Sequence, residues 1–181
     1  FVTSVISDEP RPEPDRNPNS TSQPHTGGTV NQKPLSTPYR WVLYALDFET
    51  GRLRWECELR RGTPINAKHS KNTYASETPV TDGQRVYVYH GSAGLFAVDF
   101  TGRLVWSHEV KQPEPLADVA TQVSTTLNKD GAPRTLASSY FLGLGQAASL
   151  ALHDDRIFVS ADHESRQWFF AAFSTRTGEE L

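Results

Sequence analysis

The chain has no methionine and only one cysteine, Cys57, in 181 residues. A lone cysteine excludes an internal disulfide. In a run that alternates like a strand it reads as a small core hydrophobe rather than a reactive thiol. Without a methionine at residue 1 the sequence is expected to be a processed chain or, as the repeats below favour, a piece of a longer one. Hydrophobic residues make up only 36% of it. No apolar run approaches the ~18 residues that span a bilayer, and no basic, apolar, small-residue leader opens it. An excess of charge is missing as well: 18 basic residues against 21 acidic ones give a net charge of −3. That balance offers no basic stripe for nucleic acid and no polybasic membrane anchor.

The familiar catalytic motifs are also absent. There is no Gly-x-Ser-x-Gly, no P-loop and no His-Glu-x-x-His. Gly143-Leu144-Gly145 leads into a strand pattern, not the helix that a dinucleotide fingerprint requires. The six histidines are scattered and none shows zinc-ligand spacing. Asp154-Asp155 and Asp162-His163-Glu164 supply too few oxygens locally for calcium, which takes ~6 to 8. The expected metal, cofactor and catalytic sets are therefore empty.

What the sequence does contain is a repeat. Ala45-Leu46-Asp47-Phe48-Glu49-Thr50-Gly51-Arg52-Leu53-Arg54-Trp55 aligns with Ala97-Val98-Asp99-Phe100-Thr101-Gly102-Arg103-Leu104-Val105-Trp106. A third copy runs from Ala172 through Ser174 and Gly178 to Leu181, with Ser174 in the place of Asp. In each copy a strand delivers Asp to a tight turn, where its carboxylate can hydrogen-bond the turn backbone and Gly supplies the positive φ. A second strand leaves the turn. Leu53, Trp55, Cys57 and Leu59 alternate with Arg54, Glu56, Glu58 and Arg60, the period of a half-buried strand.

A further hairpin lies upstream of each copy. Glu77–Val80, Thr81-Asp82-Gly83 and Arg85–Tyr89 read strand, turn, strand, as do Ser149–Leu152, His153-Asp154-Asp155 and Arg156–Ser160. Phe1–Ile6 matches the second strand of that hairpin. One unit is thus four antiparallel strands, A to D, repeating at about 50 residues, which is the signature of a propeller. The expected fold is all-β, a partial β-propeller of four-stranded antiparallel blades, about two and a half of them. The expected divisions are 1–60, a partial blade (strands B to D) with a disordered insert at 8–38; 77–110, a complete blade; 111–145, a long loop insertion; and 146–181, a partial blade (strands A to C). Asp47, Gly51, Trp55, Asp99, Gly102, Trp106 and Gly178 are the structural repeat positions, and the recurrence of Trp argues for packing between blades. The third copy, with Ser174 for Asp and Leu150 where the matching strand has Pro79, is expected to be more weakly held. Unmatched strand edges lead us to expect that the isolated segment associates.

The Ala-x-Asp-x-x-Thr-Gly-x-x-x-Trp pattern resembles the PQQ-like propeller repeat, over residues 1–7, 39–110 and 145–181. That repeat occurs in quinoprotein alcohol dehydrogenases, in outer-membrane assembly lipoproteins of the BamB type and in many uncharacterised bacterial proteins. The run from Asn72 through Gly83 to Phe96 is similar to the last group. The resemblance alone implies a periplasmic or extracellular location and admits pyrroloquinoline quinone as a cofactor of related enzymes.

The long connections all join strand B to C or strand D to the next A, so they share one face, where repeat proteins commonly place binding surfaces. Residues 8–39 carry Pro10, Pro12, Pro14, Pro18, Pro24, Pro34 and Pro38 and too little apolar surface to offset ordering. Asn19-Ser20-Thr21 fits the N-glycosylation pattern, which matters only in a secretory host. Lys71, Asn72, Tyr74, Ser76, Glu77 and His90 form a candidate ligand-facing loop; the competing reading is a solvated loop satisfying its own backbone.

Three functions stay open. The first is a non-catalytic scaffold for a protein or peptide partner, alongside the remaining blades of a parent chain. The second is a fragment of a quinone-dependent dehydrogenase, although one cysteine denies it the vicinal disulfide that the resemblance would imply. The third is a glycan or small-ligand sensor using Tyr74, His90 and Trp168.

Overall fold

The computed structural model of the chain describes residues 1–7, 38–64, 73–91, 93–111, 122–127, 133–138, 147–161 and 169–181, with backbone alone at 122–127, 133–138 and 161. Among these residues every element is a strand and all pairing is antiparallel. The first sheet has the order β1 (Val2–Ser7), β2 (Tyr39–Leu46), β3 (Leu53–Gly62). The second is β4 (Val80–Thr81), β5 (Arg85–His90), β6 (Gly94–Asp99), β7 (Leu104–His108). A separate hairpin joins β8 (Gln122–Leu127) to β9 (Pro133–Ser138). The last sheet is β10 (Ala151–His153), β11 (Arg156–Ala161), β12 (Phe169–Ser174). These are strands B to D of one blade, A to D of a second and A to C of a third.

The burial pattern explains why the middle blade looks continuously apolar in sequence. In β5, Val86 and Val88 pack toward the first sheet, in a cluster with Trp41, Leu43, Cys57 and Leu59. Tyr87 and Tyr89 point the other way, into a cluster with Ile157, Val159 and Phe173 of the third sheet. In β6, Phe96 and Val98 join the first cluster, and Leu95 and Ala97 the second. A sheet covered on both faces has no wet side to mark the period of two. Each such fully buried side chain contributes about 1.5–3 kcal/mol of transfer free energy. By contrast, β3 lies at the outer edge of its sheet, and there Cys57 and Leu59 are buried while Glu56 and Glu58 are exposed.

Both complete C–D pairs carry the same irregularity. Ala45 lies opposite Trp55 while Leu46 lies opposite Leu53; Ala97 lies opposite Trp106 while Val98 lies opposite Leu104. One extra residue, Arg54 or Val105, is bulged out beside each Trp. A bulge re-aims the neighbouring side chain, and the small Ala opposite leaves room for it.

The structure corrects several boundaries. The stretch 111–145, expected as loop, contains the β8–β9 hairpin, paired from Gln122↔Ser138 to Leu127↔Pro133. Its strands are rich in Thr and Ser, so they lacked the apolar alternation that marks a half-buried strand. Val123, Thr125, Thr126 and Thr135 are nonetheless strand formers. Strand D of the first blade runs to Gly62, not 60, because Tyr39 and Arg40 pair with Gly62 and Arg61. The A strands are short, Val80–Thr81 and Ala151–His153; ahead of the first, Pro79 has no amide hydrogen to donate to a ladder. The insert expected at 8–38 lies outside the described residues except for Pro38.

Candidate functional site

The segment 73–79 connects strand D of the first blade to strand A of the second, at the end of the blades where the long connections emerge. Locally it closes on itself: the Thr73 amide donates to Ser76 Oγ at 3.4 Å and the Ala75 amide to Thr73 Oγ1 at 3.2 Å. It is also tied to all three blades. Trp41 Nε1 donates to the Tyr74 carbonyl at 2.9 Å, and Thr3 Oγ1 to the Glu77 carbonyl at 3.4 Å. The Thr78 amide donates to Ser149 Oγ at 3.0 Å, reaching the third blade.

Its most unusual feature is a buried polar pair. Glu77 is 4% exposed and His90 is fully enclosed. Glu77 Oε2 lies 3.0 Å from His90 Nδ1, and Glu77 Oε1 accepts the Gly91 amide at 3.2 Å. One carboxylate therefore fastens the D–A segment to the end of β5 and to the B–C turn. His90 Nε2 is buried and has no hydrogen-bond partner among the described residues. A single imidazole nitrogen is not a metal site, and no group of three or more His, Cys, Asp or Glu converges among the described residues.

The expected ligand-facing residues thus fall into different environments. Tyr74, Glu77 and His90 are buried; Ser76 is exposed; Lys71 and Asn72 lie outside the described residues. Tyr74 sits edge-on to Tyr39 with centroids 5.6 Å apart. Burial, and then the neighbouring Tyr39, push its hydroxyl pKa up to about 12. Among the described residues, Tyr74 and Glu77 bond to neighbouring strands: the Tyr74 carbonyl to Trp41 and the Glu77 carboxyl to His90 and Gly91. Trp168, considered for sugar stacking, also lies outside the described residues, as do Asp162, His163 and Glu164. Asp154 and Asp155 stand exposed in the turn between β10 and β11.

The opposite end of the blades is built from tight turns. Asp47 accepts the Thr50 amide at 2.9 Å, the Thr50 hydroxyl at 2.8 Å and Arg54 Nε at 3.2 Å. The Arg54 guanidinium first, then Thr50, hold its carboxyl down to about 2. Asp99 does the same with Thr101 and Arg103 and lies still further below the usual range. In the third turn Ser174 Oγ accepts the amides of Arg176 and Thr177 at 3.2 and 3.4 Å. Gly51, Gly102 and Gly178 all have positive φ, at 68°, 89° and 77°.

Two of these turns receive an indole from the preceding blade. Trp55 Nε1 donates to the Phe100 carbonyl at 2.9 Å, and its ring lies so close to Gly102 that a β-carbon there would stand 2.9 Å from Cδ2. Trp106 Nε1 donates to the Thr175 carbonyl at 3.1 Å and covers Gly178 in the same way. Phe100 and Thr175 occupy the same repeat position. An aromatic backs each indole: Phe1, just ahead of β1, against Trp55 at 5.7 Å, and Tyr87 of β5 against Trp106 at 6.0 Å. The third blade has an added clamp, since Arg85 donates to the carbonyls of Thr175 and Arg176 at 3.0 and 3.3 Å. The sequence marked Trp, Gly and Asp as repeating, but which carbonyl each indole seeks appears only in three dimensions.

The sequence profile of the family described as outer membrane protein assembly factor BamB matches residues 18–137, more than half of the 181. The chain belongs to this family. The matched stretch of this BamB-family chain holds the first C–D hairpin, the complete blade and the β8–β9 hairpin. The third blade lies beyond it yet repeats the Trp–Gly contact. No curated protein matches the chain. No helix among the described residues is long and apolar enough to cross a membrane.

Proposed function

We propose that this BamB-family chain is a non-catalytic propeller module that serves as a protein-interaction scaffold, located in the periplasm or outside the cell, and that its binding face is the end bearing the long connections. The observation that carries this reading is the division of labour between the two ends of the blades. The A–B and C–D turns are short, internally hydrogen-bonded and, at Gly102 and Gly178, filled by indoles of the neighbouring blade. They are occupied in holding the propeller together. The B–C and D–A connections vary in length and all emerge at the other end, above a segment (73–79) pinned to three blades. A rigid base beneath variable loops is the arrangement on which binding surfaces are commonly built. The family's description as an outer-membrane assembly factor supports a protein partner.

The test is to replace residues 8–37 with a short Gly-Ser linker and compare capture of partners from the host at matched folding. Loss of a specific partner with an unchanged melting transition supports the reading. Unchanged capture, or no partner from the parent protein, removes it. Absorbance titration with a quinone and calcium provides the complementary result: saturable binding would move the chain to the dehydrogenases.

A further inference from the structure

The hairpin between the second and third blades has one edge open to pairing and one edge guarded against it. β8 and β9 form a two-stranded sheet of their own, and among the described residues neither pairs with a blade. A two-stranded ribbon is marginal in water and gains stability from further strands. β8, Gln122–Leu127, contains no charged residue, no proline and no glycine. Its register with β9 runs unbroken from Gln122↔Ser138 to Leu127↔Pro133. Charge, proline and bulges are what natural edge strands use to avoid pairing, and the outer-edge strands of the first two blades carry such devices. β3 holds Arg54, Glu56, Glu58, Arg60 and Arg61 and two register shifts, and β7 has one shift. β9 begins with Pro133 and Arg134. Among these strands, β8 alone has none of the three.

We infer that β8 is the edge through which two copies of this chain associate: its free edge pairs antiparallel with β8 of a second copy about a two-fold axis, in a sheet of order β9–β8–β8–β9. The occupant follows from the strand's own residues. In a two-fold contact each patch meets its own copy, and like charges set opposite one another destabilise a strand pair. A strand of Gln, Val, Ser, Thr, Thr and Leu has no charge to oppose, so it is self-complementary. Thr–Thr and Thr–Ser pairs across such a ladder are favourable. Association closes at two copies. The edges left outermost are those of β9, where Pro133 has no amide hydrogen to donate and Arg134 adds a charge. The inference does not rest on the scaffold reading, because it concerns contact between copies of the chain.

The experiment is sedimentation velocity of the natural full-length protein over a dilution series, beside two double variants, Ser124→Lys with Thr125→Lys and Ser124→Glu with Thr125→Glu. The expected result for the parent is a dimer that dissociates on dilution. Each charged variant should bind its own kind roughly tenfold or more weakly, with unchanged far-ultraviolet circular dichroism. An equimolar mixture of the two should recover the dimer, a repair that a mere structural defect would not show. Thr125→p-benzoylphenylalanine gives a readout without added charge: irradiation should link two polypeptides through peptides containing residues 122–127. Overturning results are a parent that is monomeric at every concentration, an assembly larger than two, a dimer that the charged variants leave as tight as before, a mixture that stays monomeric, or a photoproduct that does not join two copies at β8.

Discussion

The indole of Trp106 lies flat enough on Gly178 that a β-carbon at that glycine would stand 2.6 Å from the ring. Trp55 and Gly102 repeat the relationship one blade earlier, so the Trp and the Gly of the repeat are two halves of one joint. The Gly is required twice over, by its positive φ and by the ring above it.

This predicts a hierarchy among glycine substitutions. Gly51→Ala, with open space around it, should cost about 1 kcal/mol from backbone strain alone. Gly102→Ala and Gly178→Ala should cost about 2–4 kcal/mol, because displacement of a packed ring is added. Urea melts at one fixed low protein concentration check the order. Equal costs at all three positions would contradict the joint.

The Glu77–His90 pair predicts a large loss from a small truncation. Glu77→Ala leaves the His90 ring and the Gly91 amide without their buried acceptor and should destabilise by about 2–5 kcal/mol. Ser76→Ala, one residue away and exposed, should stay within about 0.5 kcal/mol. Denaturant unfolding of the two variants side by side makes the comparison.

Cys57 should be inert in the folded chain. It is buried, and desolvation, then the nearby Asp99 charge, raise its thiol pKa above the ordinary value. An aromatic disulfide reagent at pH 7.5 should react slowly with the native protein and rapidly once urea is added. Rapid labelling of the native state would mean that β3 does not pack as described.

Acid should weaken the turns in a defined window. Asp47 falls from an ordinary value near 3.8 to about 2, and Asp99 is lowered further. A carboxyl depressed by folding contributes stability that is complete above its unfolded pKa and is lost as pH falls through its folded one. Melting temperature should therefore drop between pH 4 and pH 2. The gap between the parent and an Asp47→Asn, Asp99→Asn variant should narrow over the same interval. A gap independent of pH would contradict the charge–turn account.

The legibility of the fold in sequence was uneven for physical reasons. The hairpins were readable because Asp, Thr and Gly must sit at fixed turn positions and because β3 alternates on a single buried face. The β8–β9 hairpin was missed because its strands have no apolar face to announce them. The environment of the candidate loop is hard to read for a different reason. Polar residues such as Glu77 and His90 signal a wet surface in sequence, and only the register of neighbouring strands reveals that they satisfy each other inside. The bulge that aims Trp55 and Trp106 has no composition signature, since any residue can stand at Arg54 or Val105.

A double-mutant cycle between Trp106 and Gly178 tests the central claim, that the repeat signature is an inter-blade joint, most directly. Trp106→Ala, Gly178→Ala and the double variant would be unfolded in urea at one protein concentration. The account predicts strong non-additivity: with the indole gone, Gly178→Ala should cost only its backbone strain, giving an interaction energy of about 1–3 kcal/mol. Costs that add to within about 0.5 kcal/mol would show that the two residues act independently and that the blades are held by something else.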